Sequence, residues 1–143
     1  MKFFTYIKYF FFLLYSWNFR VAWYMMRQEI KGEKKYNINT TGADELLKLE
    51  AMGIDITHAT IYMPVSYNLL EDIFQHLTAN PINPKPLNPN PLNHFLDIGC
   101  GKGRALCMAA HLGFKKVTGL DFSKDLCEIA TENLTITKQN IPG

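Results

Sequence analysis

The stretch Asn93–Leu106 (NHFLDIGCGKGRAL) constrains this chain more than any other. Phe95–Ile98 is a short apolar run broken by one carboxylate. Gly99, Gly101 and Gly103 follow at alternate positions, and then a helical pattern begins. That order predicts strand, tight turn, helix. A buried strand that ends in Asp-Ile-Gly and passes into glycines leaves bare main chain at its carboxyl edge, where open α/β sheets hold nucleotide-like ligands. Glycine is needed twice over: the turn visits backbone angles other residues avoid, and a ligand must come close to the main chain. A second short apolar strand, Val117–Leu120, runs into Asp121. An acid at the tip of the next strand is placed to accept hydrogen bonds from two ribose hydroxyls.

Phe95–Gly103 (FLDIGCGKG), followed by Gly119–Lys124 (GLDFSK), resembles the first two motifs of class I S-adenosylmethionine-dependent methyltransferases. The resemblance covers roughly residues 93–134, under a third of the chain. It implies an α/β, Rossmann-like fold of about seven strands with the Phe95 strand near the middle. It also implies S-adenosyl-L-methionine as cofactor. Gly99, Gly101 and Gly103 would line its ribose and methionine part, and Asp97 would meet its amino group directly or through water. Asp121 would hold the ribose hydroxyls, and Phe122 would lie against adenine. Tyr62 and Ser66, shortly before the first motif, would close over the methionine end. A second reading stays open for that pair, with Ser66 capping a helix and Tyr62 packing in a core.

The chain supplies two strands of such a sheet. The expectation is therefore an incomplete fold, the first βαβα unit plus N-terminal helices, in an N-terminal half that transfers no methyl group alone. The methyl acceptor and the catalytic residues are not readable from it. Two other classes compete. A NAD-type dinucleotide-binding oxidoreductase fragment wants glycine at the sixth position of G-x-G-x-x-G, where this chain has Arg104. A non-enzymatic membrane-surface or interaction protein would be run by the N-terminal helix. A phosphate-binding P-loop is excluded, because Lys102 is followed by Gly103 and no G-x4-G-K-[ST] occurs.

With 143 residues there is room for one domain. The net charge is +2, but residues 1–35 hold seven basic residues against Glu29 and Glu33, a net +5 that leaves −3 elsewhere. Cys100, Cys107 and Cys127 show no Cys-x-x-Cys spacing and no neighbouring histidine cluster. That pattern argues for small packed thiols in a reducing compartment, no metal, and a cytoplasmic chain that is peripheral to membranes at most. Cys100 has no histidine at hand to activate it as a nucleophile.

Residues 3–26 are densely aromatic and read as one long amphipathic helix, with Phe3, Ile7, Phe10, Leu14, Trp17, Val21 and Met25 on its apolar side. Lys8 and Arg20 bracket only eleven residues, too few to span a bilayer. Such a helix suits its own domain, a partner subunit or a membrane surface; nucleic acid fits poorly because positive charge is sparse. Glu29–Thr41 reads as a polar crossing segment with Lys31–Lys35 solvated, and Thr41–Met52 as a short helix. Ser66 caps a helix over Tyr67–Leu77. The segment 80–93 has five prolines and reads as an extended linker. Helices are expected over Arg104–Leu112 and Lys124–Leu134, with Thr135–Gly143 a connection. The organisation expected is a helical extension over 1–60 and a cofactor-binding unit over 61–143.

Overall fold

The computed structural model describes residues 2–42, 62–79 and 93–141. All of the expected Thr41–Met52 helix but Thr41 and Gly42, and nearly all of the proline linker, lie outside those residues. In order, the described elements are α1 (Lys2–Ser16), α2 (Phe19–Tyr36), α3 (Tyr67–Ala79), β1 (His94–Ile98), α4 (Arg104–His111), β2 (Lys116–Leu120) and α5 (Lys124–Asn140). The fold class is α/β. β1 and β2 are parallel, with Asp97 opposite Gly119 and Ile98 opposite Leu120, and α4 makes the crossover between them.

The N-terminal helix of residues 3–26 is corrected to two. The chain breaks at Trp17–Asn18, where the Asn18 side chain accepts the Val21 N–H at 3.0 Å and starts α2. α1 and α2 then pack as a hairpin on Tyr9, Leu13, Ala22 and Met26. This seam differs from the expected apolar side, and Phe3, Ile7 and Trp17 face solvent instead. α2 also runs ten residues further than the aromatic stretch suggested. Glu29–Tyr36 is helix, not a crossing segment, and it ends at Asn37 in the left-handed region (φ 53°).

The main core joins Ile38, Tyr67, Leu70, Phe74 and the α4 residues Cys107, Met108 and Ala109. Phe74, Phe95 and Phe114 meet there with ring centroids 5.4–6.3 Å apart, fastening α3 to the sheet. α3 buries Leu70 and Phe74 but leaves Leu69, Ile73 and Leu77 exposed. At the carboxyl end α5 continues to Asn140, so the expected connection after Leu134 is helical. Thr131 and Thr135 satisfy their hydroxyls on carbonyls one turn back, which lets these polar residues stay in the helix.

Candidate functional site

β1 delivers the chain to three left-handed glycines, Gly99 (φ 79°), Gly101 (φ 52°) and Gly103 (φ 79°). The turn is strapped to the end of β2. The N–H groups of Gly99 and Cys100 both donate to the Leu120 carbonyl, at 2.7 and 3.0 Å, and Gly103 N–H donates to the Cys100 carbonyl at 2.9 Å. Asp121 then crosses from the second strand to the turn. Its Oδ2 accepts the Gly101 N–H at 2.8 Å and its Oδ1 accepts the Ser123 N–H at 2.9 Å. Ser123 in turn caps α5 through the Leu126 N–H. The glycines and the acid are one structural unit.

Asp97 sits half-buried in β1, one strand away from this carboxylate. Burial, and after it the charge of Asp121, pushes its carboxyl above the usual value. The folded chain therefore holds that proton more tightly than the unfolded chain does. Ionised Asp97 opposes folding at neutral pH, and the penalty vanishes as pH falls below the ordinary value of 3.8. Asp97→Asn should consequently melt above the parent at pH 7, with the gap closing in acid. Thermal melts across that range check this, and parallel pH profiles would refute it.

Tyr62 lies on the turn. A Cβ added at Gly101 would stand 2.2 Å from its ring, and its hydroxyl donates to the Thr40 carbonyl at 2.8 Å. Ser66 is in a different setting. It is exposed, and its Oγ accepts the Leu69 N–H at 3.2 Å at the start of α3. Phe122, beside Asp121, is exposed. Tyr62, Asp97, Asp121 and the glycines are thus brought together, while Ser66 serves as a cap. Cys100 is buried, and its thiol is pushed up to about 11 by burial first and Asp121 second, which removes it as a nucleophile near neutral pH.

Arg104 opens α4 immediately after the glycines and is buried. Its guanidinium forms a two-pronged ion pair with buried Glu29 of α2, donates to Thr40 Oγ1 at 2.9 Å and to the Val65 carbonyl at 2.6 Å, and lies 3.9 Å from the Tyr67 ring centroid. Glu29 also accepts the Thr41 hydroxyl at 2.9 Å. Glu33, one turn on, accepts the Thr40 and Thr41 N–H groups at 2.7 and 2.6 Å and the Tyr6 hydroxyl of α1. Asn133 of α5 completes the frame. Its amide nitrogen donates to the Lys102 carbonyl at 2.9 Å and the Asn39 carbonyl at 3.1 Å, and its oxygen accepts the Asn39 N–H. Segment 39–41 is therefore clamped between the N-terminal hairpin and the glycine turn.

Sequence reasoning missed this frame, although a signal existed. Ala22, Met26, Glu29 and Glu33 follow helical spacing, so the two acids continue the stripe that α2 buries.

A family model described as Methyltransferase domain matches residues 95–141. Within those residues the chain is similar to a methyltransferase domain. No curated protein and no solved structure matches the chain. The matched segment contains β1, the glycine turn, α4, β2 and α5, and the resemblance seen in FLDIGCGKG and GLDFSK falls within it. Glu29, Glu33, Thr40 and Tyr62, which brace the glycine turn, lie outside the match. No helix among the described residues is long and apolar enough to cross a membrane.

Proposed function

We propose that the chain binds S-adenosyl-L-methionine at the Gly99–Gly103 turn and serves methyl transfer. What carries the reading is the direct bond between Gly101 N–H and Asp121, which sets bare main chain and a ribose-binding carboxylate side by side. The residues fit such a ligand. A Cβ at Gly99 would meet nothing within 4 Å, so the turn is open on that side. Each Asp121 oxygen has one lone pair engaged by main chain and another to offer a hydroxyl. Asp97 would receive the amino group, Tyr62 would roof the turn and Phe122 would face adenine. The donor, when bound, supplies an electrophilic sulfonium methyl. The chain's own part is alignment and exclusion of water, with a base needed only if the acceptor must lose a proton.

In this reading β1–α4–β2–α5 is the first unit of a larger Rossmann-like sheet. Leu96, Ile98 and Leu120 are exposed on the two strands, where further layers and strands would bury them. The unit alone would then bind donor without completing transfer. The free thiols suit a cytoplasmic setting.

Calorimetric titration of the full chain with S-adenosylhomocysteine and with NADH tests the assignment. Binding of S-adenosylhomocysteine, weakened at least tenfold by Asp121→Ala, is expected. Binding of NADH alone, or of neither by folded protein, would overturn it.

A further inference from the structure

The hairpin of α1 and α2 turns a second surface outward. Phe4, Lys8, Phe11 and Tyr15 form an exposed stripe on α1, and Phe19, Arg20, Trp23 and Arg27 form one on α2. The rings connect across the hairpin: Phe11 meets Phe10 at 6.0 Å, Phe10 meets Phe19 edge-on at 6.2 Å, and Phe19 stacks on Trp23 at 6.3 Å. Tyr15 is 94% exposed and Phe4 71%, extremes for side chains of this size. A continuous aromatic patch of this kind marks a contact surface.

Its charge identifies the occupant. No acid occurs before Glu29, and both acids of α2, Glu29 and Glu33, are turned inward. Lys8, Arg20 and Arg27 therefore stand among the rings with no acidic neighbour on their own helices. Burying Glu29 and Glu33 in the Arg104 frame is what leaves the outer face of the hairpin cationic among the described residues. A protein partner would have to be both acidic and apolar, and a nucleic acid would ask for denser positive charge. An anionic bilayer surface meets both halves of the pattern. Aromatic rings favour the headgroup boundary, and long basic side chains reach past them to phosphates.

We infer that the α1–α2 hairpin docks flat on anionic lipid bilayers. The inner side of the same hairpin holds segment 39–41 against the glycine turn, through Glu29, Glu33 and Tyr6. Docking therefore places the turn on the side of the hairpin that carries segment 39–41.

Both tryptophans of the chain, Trp17 and Trp23, lie exposed on this hairpin, so intrinsic fluorescence reads the contact directly. The full chain should float with phosphatidylcholine–phosphatidylglycerol vesicles and its emission should shift to the blue. Pure phosphatidylcholine should retain much less. Arg20→Glu with Arg27→Glu should weaken partitioning by at least roughly tenfold, and Phe19→Ser with Trp23→Ser should abolish it. All four positions are exposed, so circular dichroism and S-adenosylhomocysteine titration of both variants should match the parent, separating this result from the donor assignment. Absence of flotation would overturn the inference. So would a lipid-free blue shift that grows with protein concentration, which would mean a second copy covers the patch, or tighter binding to a single-stranded oligonucleotide than to vesicles.

Discussion

Arg104→Ala should cost about 3–5 kcal/mol of folding stability, the loss typical of a buried ion pair deprived of one partner. The substitution leaves Glu29 buried with no counter-charge. It takes a donor from the Val65 carbonyl, leaves Thr40 Oγ1 with the Tyr67 hydroxyl alone, and removes the flat group stacked on Tyr67. Set against the 5–15 kcal/mol of an ordinary domain, that places the variant close to unfolding. Arg104→Lys should recover little, because an ammonium has neither the fork that grips Glu29 nor the plane that covers the ring. Combining Arg104→Met with Glu29→Met should restore most of the loss, since apolar residues of similar volume replace buried pairs at small cost. Urea denaturation of the four proteins measures this. An Arg104→Ala variant within about 0.5 kcal/mol of the parent would show that the pair is solvated and the frame loose.

Gly101→Ala is the second large effect, expected at about 2–5 kcal/mol with donor affinity lowered at least tenfold. Two costs add. A residue with a Cβ at φ 52° carries left-handed strain of about 1–2 kcal/mol. The new methyl also occupies the Tyr62 ring position, and displacing a packed side chain typically costs 1–3 kcal/mol. Tyr62 cannot simply swing aside without giving up its bond to the Thr40 carbonyl. In a Tyr62→Ala background the packing cost should vanish while the backbone strain persists. The double-mutant cycle separates the two. Equal destabilisation of Gly101→Ala in both backgrounds would place the ring away from the turn.

The matched segment was legible because its signals are local. Apolar runs of strand length, alternate glycines and Ser123 ahead of a helix each act within a few residues, and β1, α4, β2 and the start of α5 appear where those signals put them. The end of α5 was misread because threonines score poorly in a helix unless their hydroxyls bond back along it, as Thr131 and Thr135 do. At the N-terminus the break at Asn18 was hidden by helical periodicity that runs smoothly through it; only the capping residue marked the stop. Glu33 looked like a member of a solvated charged run, and Glu29 like the start of a polar crossing segment. Their burial depends on Arg104 and on amides of segment 39–41, and nothing near them in sequence announces those partners. Arg104 itself was read only as the absence of a glycine. Long-range polar pairing is what sequence pattern conveys least, and here it ties the hairpin to the turn.

The separation of Glu29 from Arg104, 75 residues, has a consequence for synthesis. At ordinary ribosomal speeds the acid waits roughly 4–15 s for its arginine to be made. Through that interval the hairpin is an aromatic nascent chain whose Glu29 lacks its counter-charge, the kind of surface chaperones and membranes compete for. Arg104, following the glycine turn, turns the key.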